Sequence, residues 1–355
     1  MSDHPTAVVL FNLGGPDDLA SVEPFLVKLF SDRAIIELPL GAALQPLFAR
    51  VIAKLRGPSV RRNYGRIGGG SPQLRITLAQ AAALESRLNG GPAGAANYRV
   101  FVAMRYSRPD SMDALEAIAA AGIRRIVTLT LFPHYSKATT GSSRREFDRA
   151  LADARWTPFG FEVTHIDRYA AHAGYLDAMA ARVSDAWRRI PHDRRLDTVL
   201  LFSAHGLPQK FIDDGDPYVG EIEATRRGIL ERLDLPCRQL LAYQSRTGPV
   251  KWIGPGTEQT IEALAREGVT DVLVVPLSFV SDHIETLYEV DLLFGEAAAR
   301  AGITGYSRTE ALNTSPLFVA ALADLVEDHL RPAGCACQGC GGCRASVPVL
   351  EEAAV

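Results

Sequence analysis

The sequence predicts an α/β protein built as two similar Rossmann-like domains, each with a parallel sheet of about four strands flanked by helices, and a cleft between them. Three observations predict it. Short apolar runs alternate with longer helix-like stretches along almost the whole chain, which is the βαβα order of doubly wound folds. Most strand candidates are continuous in Val, Ile, Leu and Phe rather than alternating apolar with polar, as strands buried on both faces require. And 355 residues are too many for one ordinary core but comfortable for two domains.

The elements follow in order. Ala7–Leu13 is the first strand candidate, and Asn12-Leu13-Gly14-Gly15-Pro16 closes it. Ser71-Pro72 opens a helix over Pro72–Leu88 that stops at Asn89-Gly90-Gly91, and Pro109-Asp110 opens another that ends at Gly122. Tyr98–Met104, Arg124–Leu131, Phe161–Ile166, Asp197–Phe202, Gln239–Tyr243 and Asp271–Leu277 are the remaining strand candidates. Residues 1–150 are then the first α/β domain and 151–314 the second; 315–331 form a last helix that packs back on the first, and 332–355 a cysteine-rich tail.

Composition narrows the function. Hydrophobic residues are 47% and charged residues 22% of the chain, which fits a folded globular protein and excludes general disorder. The formal charge is −3, without the basic excess that binding nucleic acid over a broad surface would need. No apolar run approaches the ~18–20 residues that cross a bilayer. Met1-Ser2-Asp3-His4-Pro5 shows no secretory pattern, so the expected location is the cytoplasm.

In such folds ligands sit beyond the carboxyl ends of the strands, and five strand ends here carry polar or glycine-rich loops, which point to one large cleft. Gly14-Gly15 and Gly68-Gly69-Gly70 do not fit a dinucleotide fingerprint and are read as tight turns. His205, between Ala204 and Gly206 after a buried strand, is either a hydrogen-bonded strand-end residue or an accessible proton acceptor. In a helix, Asp282, Glu285 and Glu289 share one face. They form either a solvated row or a cleft-facing set of oxygen ligands suited to transient passage of a divalent first-row metal. Cys335, Cys337, Cys340 and Cys343 fall within nine residues; in a reducing compartment they are ligands for zinc or for a [2Fe–2S] cluster before they are disulfides.

Ser203-Ala204-His205-Gly206-Leu207-Pro208, Gly215-Asp216-Pro217-Tyr218, Gln244-Ser245-Arg246-x-Gly248-Pro249 with Trp252, and Ser281-Asp282-His283-Ile284-Glu285-Thr286-Leu287-Tyr288-Glu289 together resemble the ferrochelatases. Asn12–Pro16, Tyr64-x-x-Ile67-Gly68-Gly69-Gly70-Ser71-Pro72, Arg105-Tyr106 and the loop Tyr135–Ser143 add to the resemblance, which spans nearly residues 7–331. It implies insertion of Fe²⁺ into protoporphyrin IX. Alternatives are the same chemistry on coproporphyrin III, a non-catalytic haem or iron–sulfur sensor on this scaffold, and a cobalt chelatase for more reduced tetrapyrroles. It implies that His205 is the active-site histidine and Glu285 the glutamate facing it across the porphyrin. Arg56, Tyr64 and Ser71, with Arg105 and Tyr135, are implied porphyrin contacts, Arg56 departing in its flanking residues and otherwise a surface arginine.

The resemblance also bears on the tail: many members of the family carry a C-terminal [2Fe–2S] cluster, some with one ligand from the loop that matches Tyr135–Ser143 here. Lys137 stands at that position, so all four thiolates would come from the tail and Cys237 would be left over. Residues 39–62 join an uncharged stretch to Arg50, Lys54, Arg56, Arg61 and Arg62. That segment is either a peripheral membrane-contacting lip or a buried helix with a basic outer face.

Overall fold

The structure is a computed structural model and describes residues 5–35, 41, 44–90, 97–246 and 250–331. The first half comprises β1 (Thr6–Asn12), α1 (Val22–Ser31), α2 (Gln45–Arg66), α3 (Gln73–Asn89), β2 (Tyr98–Met104), α4 (Ser111–Ala120), β3 (Arg125–Thr130), α5 (Thr140–Leu151) and β4 (Glu162–Ile166). Helix α6 (Ala173–Arg189) leads into β5 (Thr198–His205), α7 (Gln209–Asp213), α8 (Tyr218–Leu230), β6 (Gln239–Gln244), α9 (Thr257–Arg266) and β7 (Asp271–Pro276). A π-helix (Glu285–Phe294), α10 (Gly295–Ala301), β8 (Gly305–Arg308) and α11 (Pro316–Leu330) follow, the last elements among the described residues.

Both halves form four-stranded parallel sheets of the same topology, β2-β1-β3-β4 and β6-β5-β7-β8. Within β1, Val8 and Leu10 enter one apolar cluster while Ala7, Val9 and Phe11 enter another on the opposite face. This two-sided burial is why the strand shows no polar alternation. The larger cluster runs without a break from Val127 and Leu129 of the first sheet to Phe202 and Val275 of the second, through α6 and α11. The halves therefore share a core, and α11 lies against α3, α6 and β4.

Two strand assignments differ from the sequence reading. β4 follows residue 150 yet pairs with β3, so the first sheet closes at Ile166 and not before the expected boundary. The fourth strand of the second sheet is β8, absent from the strand candidates; it is a four-residue edge strand, Gly-Tyr-Ser-Arg, too short and polar to show an apolar run. The carboxylate-bearing segment after β7 is helical, but over Glu285–Phe294 it is a π-helix, a wider turn than sequence periodicity anticipates.

Close backbone packing sets the loop after β1. A Cβ on Gly70 would lie 2.1 Å from the Asp17 carbonyl oxygen, a backbone atom, so one of the two backbone segments would have to shift. Gly70→Ala should lower stability by about 1–3 kcal/mol in thermal or denaturant unfolding. Gly65→Ala is the control: its Cβ meets nothing within 4 Å and it lies inside α2, so stability should hold or rise slightly.

Candidate active site

His205 is the last residue of β5, and the chain leaving β7 turns through Leu277-Ser278-Phe279 to start the π-helix at Glu285. The two strands lie side by side, so their ends bring His205 Nδ1 within 2.7 Å of Glu285 Oε2. Burial works against a charged imidazole here, but the Glu285 carboxylate overrides it and holds the ring's pKa above its ordinary value. Burial likewise pushes Glu285 up, yet His205, with His283 and Ser245, brings it below the ordinary carboxylate range. The two form a hydrogen-bonded imidazole–carboxylate couple in which each side chain favours the charged form of the other. The His205 side chain keeps 29% of its surface open, and among the described residues its Nε2 has no hydrogen-bond partner.

Glu289 stands one π-turn further on. Burial, and then the negative charge of Glu285, push its carboxyl up to about 7, only partly offset by the Ser245 hydroxyl, which donates to Glu289 Oε2 at 2.5 Å. Ser245 is held in the left-handed region at φ 63°, a conformation that favours glycine. Its neighbour Gln244 donates to the Glu285 carbonyl at 3.3 Å and is itself fixed by Ser203. His283 is buried and neutral, its pKa lowered by burial; Nδ1–H donates to the Ser281 carbonyl, and Nε2 lies 4.0 Å from Glu285 Oε2 without a hydrogen-bond partner.

The first half supplies the facing wall. Tyr64 is buried on α2, close enough to Glu285 that the carboxylate adds to burial in raising the phenol's pKa. A Cβ on Gly15 would sit 2.6 Å from Ser71 Cβ and Oγ and 3.7 Å from Tyr64 Oη, so the bare glycine lets the β1 loop, Ser71 and Tyr64 meet. Ile284 packs into the apolar cluster of α1 and α2 with Tyr64. Arg66 caps the contact from α2, over the Tyr288 ring and paired with Glu296.

Other predicted residues lie elsewhere. Asp282 precedes the π-helix and does not join the carboxylate row: its carboxylate pairs with Arg308 at 3.2 Å and accepts from Asn313 at 2.8 Å. Arg105 is not a free cation; its guanidinium donates to Asp32 and Ser142, and Tyr106 and Ser142 donate to the same Asp32 oxygen. Tyr135 stacks under Arg168, and its backbone N–H donates to Glu221. Arg56 is exposed on α2. Cys335, Cys337, Cys340 and Cys343 lie outside the described residues, among which no group of His, Cys, Asp and Glu could hold a metal ion. One further difference concerns the implied geometry. The resemblance sets Glu285 across the porphyrin from His205, whereas here the two side chains touch, leaving no room for a macrocycle between them.

Gln244, Ser245, Ser278 and Tyr218 are site residues that the sequence does not predict, although Tyr218, Gln244 and Ser245 fall within the motif segments. Uncharged residues in loops and at element ends carry no chemical signal by themselves, and nothing in a serine's identity announces a left-handed backbone.

A sequence model described as ferrochelatase matches residues 5–330. A ferrochelatase of Geotalea daltonii is 50% identical over 322 residues, covering 91% of this chain and 97% of that one. One of Synechocystis sp. is 44% identical over 330 residues, covering 92% and 83%. Among solved structures, SirB from Bacillus subtilis with Fe³⁺ superposes at a TM-score of 0.51 with 10% identity, covering 92% of this chain and 95% of that one. CbiX, the terminal enzyme for biosynthesis of sirohaem in denitrifying bacteria, gives 0.50 with 16% identity, covering 92% and 100%. At these identities the structural matches show the fold alone, that of the two parallel-sheet halves.

The raised Glu289 carboxyl has a stability consequence. A glutamate with an ordinary pKa when unfolded and about 7 when folded holds its proton more tightly in the native state between those values. Native stability therefore falls as pH rises from about 4.5 to 7. At ~1.4 kcal/mol per pKa unit, the full penalty above that window is on the order of 3 kcal/mol. Glu289→Gln should remove it, so the variant's advantage in unfolding free energy over the wild type should grow from pH 4.5 to 7.5. An advantage independent of pH would show that Glu289 titrates normally.

Proposed function

The chain belongs to the ferrochelatase family, and on that premise we propose that it inserts Fe²⁺ into protoporphyrin IX to give protohaem, with His205 and Glu285 as one proton-accepting unit. The observation that carries the reading is the 2.7 Å His205–Glu285 bond in a cleft walled on the other side by Tyr64 and Ser71. Metallation removes two pyrrole N–H protons and exchanges water on the metal for ring nitrogens. In the neutral ring, Nδ1–H is held by Glu285 and Nε2 is free to take a pyrrole proton; the resulting imidazolium is stabilised by the carboxylate already in contact. Glu289, poised at about 7, can accept and release a proton near neutral pH and so clears the pair for the second deprotonation. Imidazole nitrogen and carboxylate oxygen are suitable transient donors for Fe²⁺, so His205, Glu285 and Glu289 pass the incoming metal on without holding it as a resident site. Asp282, neutralised by Arg308, is not in that set.

Ser71 and Tyr64 offer hydroxyls, and Arg56 an exposed cation, to the porphyrin carboxylates. Arg105 is saturated by Asp32 and Ser142, which leaves fewer free cations for a tetracarboxylate ring and favours protoporphyrin over coproporphyrin. Leu44, just before α2, and Leu47, Val51 and Leu55 on it form an exposed apolar stripe, the last 76% exposed, beside Arg50, Lys54 and Arg56. This stripe supports peripheral contact with an anionic bilayer. No helix among the described residues is long and apolar enough to cross one, and 39, 40, 42 and 43 of the 39–62 segment lie outside them. For the tail, four thiolates within nine residues match the donor set of a [2Fe–2S] cluster, which when bound would contribute to folding of the C-terminus.

Anaerobic assays with Fe²⁺ and each porphyrin test the reading: haem should form from protoporphyrin IX in strong preference to coproporphyrin III. Formation of neither would leave the sensor alternative. His205→Ala should abolish insertion while porphyrin binding, read by fluorescence, persists. Glu285→Gln should lower turnover ~10²–10⁴-fold. The purified protein should be coloured without porphyrin and contain about two irons per chain. Ser in place of Cys335, Cys337, Cys340 or Cys343 should remove both, and Cys237→Ser neither. A colourless protein with one zinc would overturn the cluster.

A further inference from the structure

His205 sits where its strand is held on one side only. The β5–β6 ladder continues to the pair His205–Gln244, and the next N–H, of Gly206, donates to the Gln244 carbonyl at 2.8 Å. The β5–β7 ladder stops two residues earlier, at Ser203–Pro276, with Leu277 N–H donating to the Ser203 carbonyl. Beyond that point β7 supplies no backbone partner for His205. Two side chains take its place. Ser278 Oγ accepts the His205 N–H at 2.7 Å, and Tyr218 Oη donates to the His205 carbonyl at 3.0 Å. Ser278 Oγ and Tyr218 Oη are themselves 2.6 Å apart.

Proton counting fixes the directions. A carbonyl only accepts and each hydroxyl has a single proton. The Tyr218 proton therefore goes to the His205 carbonyl, and the Ser278 proton to Tyr218 Oη. The result is a closed ring of three hydrogen bonds, from His205 N–H to Ser278, Ser278 to Tyr218, and Tyr218 back to the His205 carbonyl. Both hydroxyl residues are buried, so no water substitutes freely. Phe279, next to Ser278, packs edge-on against the His205 ring at 5.9 Å between centroids. The tyrosine end is anchored to the other half of the molecule: Asp216 accepts the Tyr218 N–H on one oxygen and Ser136 Oγ and Lys137 N–H on the other.

We propose that Tyr218 and Ser278 are positioning residues for His205, a two-hydroxyl clamp that replaces the missing strand and fixes the imidazole in the orientation that reaches Glu285. The inference rests on the proposed role of His205, but its first readout does not need activity. In ligand-free protein labelled with ¹⁵N-histidine, His205 Nδ1–H, assigned by its loss in His205→Asn, should be protected from solvent exchange in the wild type. It should exchange rapidly in both Tyr218→Phe and Ser278→Ala, with the His283 signal unchanged. Protection retained in both variants overturns the proposal, whether or not the protein makes haem.

The second readout is kinetic. Each variant should lower kcat for iron insertion by up to about a hundredfold, the scale of a small misplacement, with KM for porphyrin within about twofold. Because either change opens the same ring, the double variant should be no slower than the slower single one. Multiplying losses, or a fall in KM-derived affinity with kcat preserved, would assign these hydroxyls to porphyrin contact or general stability instead. Tyr218→Phe keeps the ring packing and remains informative if Ser278→Ala folds poorly. A wild type that inserts no iron overturns the proposed function while leaving the exchange measurement to decide the clamp.

Discussion

The contact between His205 and Glu285 is the constraint on which the site depends. A buried carboxylate without a cation would rise in pKa and go neutral, and a buried imidazole without an anion would lose its proton. Held 2.7 Å apart, each shifts the other toward its charged form. The same pairing leaves Glu289 as the group that carries the electrostatic strain, because it is buried beside an ionised neighbour and the Ser245 hydroxyl and His205 offset that only in part. Two carboxylates one turn apart thus hold different protonation states near neutral pH, one fixed as an anion and the other poised to change. Such a split is what a site needs if it is to take protons from one molecule and release them to water.

The rest of the fold keeps that pair at the edge of a cleft instead of inside a core. Both halves have the same strand order, and one continuous apolar cluster joins them behind the site. Polar contacts then set the approach of the halves at the front. Gln80 on α3 accepts from Ser281 and donates to the Asn313 carbonyl, while Asn313 donates to Asp282. Arg308 completes this arrangement by pairing with both Asp282 and Asp291. The carboxylate that looked like a metal ligand in the sequence therefore works in the structure as a bracket between the segment before the π-helix and the β8 edge. Asp32 does similar work on the other side, gathering Arg105, Tyr106 and Ser142 around one oxygen where α1 ends.

Much of this was legible in the sequence where chemistry and periodicity coincide. Continuous apolar strands announced two-sided burial, and His205 and Glu285 stood out as titratable groups next to buried strands. What failed was of two kinds. β8 and the membership of β4 depend on which edge a short strand joins, a long-range choice with no local signature. Asp282 and Arg105 were given ligand roles because their residue types permit them; their actual partners, Arg308 and Asp32, are 26 and 73 positions away and become visible only when the chain is folded. Helical periodicity placed Asp282 on the face of Glu285 and Glu289, but the residue lies before the helix begins and the helix is not an α-helix.

Local rules are broken together at one place, which is informative in itself. The π-helix over Glu285–Phe294 departs from the regular α-helical hydrogen-bond pattern, and π turns concentrate at functional sites. Ser245 accepts a left-handed backbone that costs of order 1–3 kcal/mol for a non-glycine residue. Both departures end on the same side chain, Glu289: the π-turn sets it behind Glu285, and the strained loop delivers the hydroxyl that holds it. A sequence selected for stability alone would relieve the loop with glycine and replace a half-protonated buried acid with an apolar residue. Retaining the strain, the unusual helix and the raised carboxyl at one point is the arrangement expected where a proton has to move.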